Sequence, residues 1–88
     1  MFKKKILIVD DAELMRRIMR DILHDAGYEV IMSSSGAEGL QKVKEEKPDL
    51  VLLDVVLPDI NGLEVCRMLR EEESNNLMPI IIVTSRGS

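Results

Sequence analysis

The sequence predicts an α/β domain built on a parallel sheet, and three observations lead there. Four short apolar runs recur along the 88 residues: ILIV at 6–9, YEVIM at 28–32, LVLL at 50–53 and IIIV at 80–83. Three of them are continuous rather than alternating, the pattern of strands covered on both faces. The stretches between them carry apolar residues at helical spacing. Strand and helix in strict alternation give right-handed crossovers, hence parallel strands.

The first strand, about residues 5–10, stops at two adjacent carboxylates, Asp10 and Asp11. The helix after it, 12–26, has an apolar stripe of Leu14, Met15, Ile18, Met19, Ile22, Leu23 and Ala26. Arg16, Arg17, Arg20, Asp21, His24 and Asp25 lie opposite, so His24 reads as solvated surface. Asp10 and Glu13 have capping-box spacing, and Gly27 is placed to end the helix. The second strand, 28–32, leads into SGAE, where Ser35 and Glu38 form a capping box for a helix over 36–46. Ala37, Leu40 and Val43 face inward there, and Pro48 prevents any continuation. A third strand, 49–54, ends on Asp54. The turn PDING follows it, then a helix over 62–72 that buries Leu63, Cys66 and Leu69, with Val65 a further candidate. SNN closes that helix, and Pro79 precedes the fourth strand, 80–84.

Composition narrows the functional classes. With 45% hydrophobic and 32% charged residues the chain reads as one soluble globular domain. A net charge of −4 and an aromatic content of 2% leave neither a basic surface nor a stacking platform, which excludes nucleic acid as the default partner. A single cysteine, Cys66, forms no internal disulfide and fits a reducing compartment. MFKKKILIVDD resembles the start of a secretion signal, but Asp10 cuts its apolar run short. No segment is long enough to span a bilayer. The expectation is a cytoplasmic protein with no membrane contact.

In open parallel sheets, ligands bind beyond the carboxyl ends of the strands. Those ends carry Asp10 and Asp11, Asp54, and Thr84. If the first strand is central, with the third and fourth to one side, all four converge. Two carboxylates about 4 Å apart at an effective dielectric of about 20 repel by about 4 kcal/mol. A retained proton or a bound cation relieves this, and Mg2+ suits a site of one or two carboxylates plus other oxygens. Capping accounts for Asp10 alone. It leaves Asp11 and Asp54 unexplained, because Pro58 separates Asp54 from the next helix. Thr84 taken alone carries little, since threonine is common in strands.

ILIVDD, ELMRRIMRDIL, PDLVLLDVVLPDINGLEV and PIIIVTS, in that order, resemble the receiver domain of bacterial two-component response regulators. The first helix is especially similar to that of the chemotaxis-type single-domain regulators. The resemblance implies a flavodoxin-like fold with strand order 2-1-3-4. It makes Asp54 the nucleophile that accepts a phosphoryl group from a kinase phosphohistidine. Asp10, Asp11, Asp54 and the Val56 carbonyl would hold Mg2+, with Mn2+ as a substitute. Thr84 would be the switch hydroxyl, and Pro58 and Gly62 would position the loop beside Asp54. The implied partner is a sensor histidine kinase or a phosphotransfer protein. Enzymatic activity would extend only to the domain's own phosphorylation and dephosphorylation.

The family pattern continues with a helix, a strand ending in lysine and a last helix, and the resemblance ends before them. A partial receiver, 1–88, with impaired phosphoryl uptake is therefore expected. Arg86, two residues after Thr84, is the cation the sequence puts nearest the pocket and a candidate phosphoryl contact. An uncovered sheet face and an open fourth-strand edge predict self-association. Two alternatives stand beside the phosphoacceptor reading. One is a receiver-derived piece with a structural, self-assembling role. The other is a phosphatase with an aspartyl nucleophile, as in the dehalogenase-like hydrolases. Those place D-x-D at the end of their first strand, whereas here the acids are adjacent.

Overall fold

The computed structural model describes residues 3–84. Strands β1 (Lys5–Val9), β2 (Glu29–Ser33), β3 (Leu50–Asp54) and β4 (Ile80–Val83) alternate with helices α1 (Glu13–Asp25), α2 (Gly36–Glu46) and α3 (Gly62–Glu71). A single 3-10 turn, Glu73–Asn75, follows α3. The strands form one sheet in the order β2-β1-β3-β4. All three pairings are parallel, as the continuous apolar runs predict.

Helices α2 and α3 pack together on one face of this sheet. Between them and the sheet lies the main core: Leu7 and Val9 of β1, Val51 and Leu53 of β3, Val43 of α2, and Val65 and Leu69 of α3. Side chains alternate along a strand, so Ile6 and Ile8, also buried, point to the opposite face. That face meets only α1 among the described helices, which packs on β1 and β2.

Local signals explain the helix ends. Ser35 caps α2 by accepting a hydrogen bond from the Glu38 N–H at 3.1 Å. The reciprocal half of this capping box is displaced by one residue, because Glu38 Oε1 accepts from the Ser34 N–H at 2.7 Å. Asn61 caps α3 through the Leu63 N–H. Gly27, at φ +98°, directly follows the Ala26 end of α1.

Four expectations need correction. Ala37 does not face inward: it is exposed, because Gly36, Gly39 and Val43 are the α2 residues that turn to the sheet, with Leu40 half-buried. The Asp10–Glu13 capping box does not form: the cap position of α1 is Ala12, whose methyl side chain accepts no hydrogen bond. Asp10 instead folds back on its own loop and accepts from the Ala12 N–H at 2.9 Å. Leu63 is 57% exposed, because Val65 and Leu69 are the α3 residues that turn to the sheet, with Cys66 half-buried. The α1 stripe is only partly used. Met19 and Leu23 are half-buried, whereas Leu14, Ile18 and Ile22 stay 70%, 45% and 63% exposed. The stripe is wider than the strip of β1 and β2 beneath it, and no described helix lies beside it over β3 and β4.

Candidate functional site

The pairing registers bring the acids together. Val9 ends β1 and pairs with Leu53 of β3, so Asp10 and Asp54, each one residue further on, stand side by side at the end of the sheet. Asp11 follows Asp10 into the loop before α1. One carboxylate oxygen from each of Asp10, Asp11 and Asp54 can be chosen so that all three lie within 4.8 Å of one another. Asp10 and Asp54 are buried, at 2% and 3% exposure, and Asp11 is open to solvent. Hard oxygen donors at this span, two buried and one accessible, suit a divalent cation such as Mg2+ or Mn2+.

Asp10 titrates above the ordinary carboxylate range. Burial is the main cause, and the hydrogen bond from the Ala12 N–H partly offsets it. The neighbouring charges of Asp54 and Asp11 push the same way, while Arg16 opposes them. Arg16 also donates through Nη1 to the Asp10 carbonyl at 2.6 Å, tying α1 to the end of β1.

The remaining predicted residues fall around this cluster. The Val56 N–H faces Asp54 Oδ1 at 3.4 Å, so Val56 begins the loop immediately beside the pocket. The loop returns at Gly62, whose N–H donates to the Val55 carbonyl at 2.8 Å. A Cβ at Gly62 would lie 2.0 Å from the Asp54 carbonyl oxygen, closer than any side chain tolerates. Pro58 is exposed on the loop's outer turn. Asp54 pairs with Val83 in register, which sets Thr84 just beyond the end of β4, next to β3 and exposed. Arg86 lies outside the described residues. Lys5, at the amino end of β1, is engaged by Glu46 on the far side of the sheet from the acids.

Sequence reasoning passed over two residues. Arg16 was placed on the solvated side of α1, yet it reaches back across the helix start. Its position six residues after Asp10 was the available signal. Asp59 was read only as part of a turn, although its carboxylate accepts from the Gly36 and Ala37 N–H groups at 2.8 and 2.9 Å. That contact joins segments 23 positions apart, and no local pattern announces it.

An acidic pocket at the carboxyl ends of a 2-1-3-4 parallel sheet is the build of a flavodoxin-like signalling domain. The chain belongs to the response regulator receiver domain family, which it matches over residues 6–88. It is 42% identical over 82 residues to the polar-differentiation response regulator DivK of Brucella ovis, covering 93% of this chain and 67% of DivK. It is 45% identical over 83 residues to the alkaline phosphatase synthesis transcriptional regulatory protein PhoP of Bacillus subtilis. That match takes in 94% of this chain but only 34% of PhoP, so the chain spans about a third of that relative. Among solved structures, the response regulator TrrA of Thermotoga maritima in complex with Mg2+-BeF superposes with a TM-score of 0.86 at 35% identity. The superposition covers 96% of this chain and 71% of TrrA. Receiver domains are signalling modules of two-component systems and bind Mg2+ at an acidic pocket, and this chain has a cluster of Asp10, Asp11 and Asp54 at the carboxyl end of its sheet. Among the described residues no helix is long and apolar enough to cross a membrane.

Proposed function

We propose that this chain is a phosphoacceptor module that receives a phosphoryl group from the phosphohistidine of a sensor kinase or phosphotransfer protein onto Asp54. The observation that carries the reading is the meeting of Asp10, Asp11 and Asp54 within 4.8 Å at the end of the sheet. Asp54 is fixed by β3 on one side and the closed 55–62 loop on the other, so its carboxylate is held for in-line attack on phosphorus. The P–N bond to the donor imidazole breaks as the new P–O bond forms, and the imidazole leaves. Asp10, Asp11, Asp54 and the Val56 carbonyl would hold Mg2+, which supplies neutralisation of phosphoryl charge when bound. Thr84 would be the switch hydroxyl, a role supported by its position just beyond Val83, the register partner of Asp54. Pro58 and Gly62 shape the loop. With Mg2+ and acetyl phosphate, a single phosphoryl group should appear on Asp54, read by intact mass and peptide mapping. Chelation by EDTA should abolish the gain. Modification elsewhere, or uptake indifferent to the chelator, would remove the assignment. Uptake weaker than in a longer relative is expected, since no described lysine stands at the pocket.

A second property is favoured by the α1 stripe. Leu14, Ile18, Ile22 and, on β4, Ile81 are all more than a third exposed, and Ile81 lines, with Ile6, Leu23, Leu50 and Leu52, a trough of about 460 Å³ on the same face. Burying a few hundred Å² there contributes several kcal/mol at about 25 cal/mol per Å². The 88-residue chain is therefore proposed to self-associate through this face or the β4 edge. Sedimentation should show dimers or larger species at micromolar concentration, and Ile18→Glu should return them to monomer. A wild-type monomer that binds no hydrophobic dye would defeat the idea.

A further inference from the structure

The first turn of α2 is completed by a residue from another part of the chain. A helix leaves its first amide N–H groups without internal partners. In α2, Ser35 Oγ takes the Glu38 N–H and leaves those of Gly36 and Ala37. Asp59 takes both: Oδ1 accepts from Gly36 at 2.8 Å and Oδ2 from Ala37 at 2.9 Å. Its charge also lies at the positive end of the helix dipole. These amide contacts hold the Asp59 carboxyl below the usual carboxylate range, the Ala37 N–H contributing most.

The approach is close enough to constrain α2 as well. A Cβ at Gly36 would meet Val65 Cγ2 at 2.9 Å, Ile60 Cβ at 3.1 Å and Asp59 Oδ1 at 3.3 Å. The missing side chain is thus what lets the loop lie against the helix.

Asp59 sits midway along the segment that runs from Asp54 to Gly62. That segment is closed at its base by the Gly62 N–H on the Val55 carbonyl, and Leu57 and Ile60 pack on the core. At its far end Asn61 caps α3 through the Leu63 N–H, and Asp59 ties the middle of the segment to α2. We propose that Asp59 is a positioning residue for the phosphoacceptor pocket: by gripping the α2 N-terminus it fixes the loop that presents Val56 and borders Asp54. The proposal rests on the metal-binding reading given above.

The test compares Asp59→Ala, Asp59→Asn and Ser35→Ala with the unaltered chain, using Mg2+ alone as ligand. Ser35→Ala weakens the same helix terminus without touching the loop, so it controls for simple loss of stability. Asp59→Ala is expected to weaken Mg2+ binding about tenfold, as loss of an outer-shell support commonly does. Asp59→Asn keeps an acceptor for one of the two amides and should fall between. Ser35→Ala should lower the melting temperature and leave Mg2+ affinity where it was. Amide hydrogen exchange without metal gives an independent readout: residues 55–61 should exchange faster in Asp59→Ala and not in Ser35→Ala. Unchanged exchange in both Asp59 variants overturns the clamp, whatever the metal does. Faster exchange with unchanged Mg2+ affinity overturns the positioning role while sparing the clamp. Should the unaltered chain itself fail to bind Mg2+, the metal reading falls, and the positioning role falls with it.

Discussion

Gly62→Ala is expected to cost about 3 kcal/mol or more of folding stability, an effect reserved for substitutions that force backbone to move. An added Cβ would stand 2.0 Å from the Asp54 carbonyl oxygen and 2.8 Å from both the Asp54 carbonyl carbon and the Val55 Cα. All three are main-chain atoms, so no rotamer change relieves the clash. The Gly62 N–H also closes the loop on Val55, and displacing it opens that bond. A domain of this size has roughly 0.05–0.15 kcal/mol of stability per residue, so the loss is a large share of the total. Urea denaturation followed by circular dichroism should show the midpoint falling far, or no folded baseline at all. Because the collision is with the residue that carries the acceptor carboxylate, any folded remnant should also lose Mg2+ affinity. A midpoint within experimental error of the unaltered chain would contradict the close packing at this position.

Asp54→Asn should abolish phosphoryl uptake and at the same time stabilise the metal-free protein. The first effect follows from removing the nucleophile: an amide does not form the acyl phosphate under these conditions. The second follows from the charge in the pocket. Asp10 is buried and its pKa is raised above the ordinary value, with Asp54 among the causes after burial. A raised folded-state pKa means that the stability linked to Asp10 is complete below the ordinary carboxylate value. It is lost as pH rises through the raised value. Replacing Asp54 by a neutral isostere lowers that raised pKa and so reduces the loss. At neutral pH the variant should therefore melt at a higher temperature than the parent. The gain should shrink as the solution is acidified and Asp10 takes up its proton in both proteins. It should also shrink when Mg2+ is added, because the cation relieves the repulsion in the unaltered chain but finds fewer ligands in the variant. Thermal melts at neutral and acid pH, with and without Mg2+, would separate these terms. A variant less stable than the parent without metal would show that Asp54 makes favourable contacts outweighing the repulsion.

Fold class was legible because the strands are apolar throughout. ILIV, LVLL and IIIV cannot be surface strands of an antiparallel sheet, and Ser35 mark a helix start by its own chemistry. The pocket was legible because Asp10, Asp11 and Asp54 each interrupt an apolar run at the same end of a strand. What escaped was set by tertiary packing. Leu63 and Val65 are both apolar and two residues apart, so helical spacing alone does not decide which of them turns inward. The α1 stripe reads as core from its periodicity, but burial also requires something to cover it. Arg16 and Asp59 escaped for a related reason: each is polar, each sits where a solvated residue is unremarkable by type, and each acquires its role from a backbone group on another element.

The β1–β3 pairing also governs the order in which this molecule can be made. The Lys5 N–H is held by Asp49, 44 positions along the chain, and Ile6–Val9 of β1 pair with Leu50–Leu53 of β3 from there. Closing so long a loop costs conformational entropy before any contact offsets it, and such non-local pairing slows folding. The acids of the pocket lie at the carboxyl ends of the two strands joined by that step, so they assemble only after it is complete. A nascent chain emerging from the ribosome therefore lacks the acidic pocket until β3 has been synthesised and has found β1. Under the proposed reading, Mg2+ bound there would couple to closure of the whole sheet rather than to the ordering of one loop.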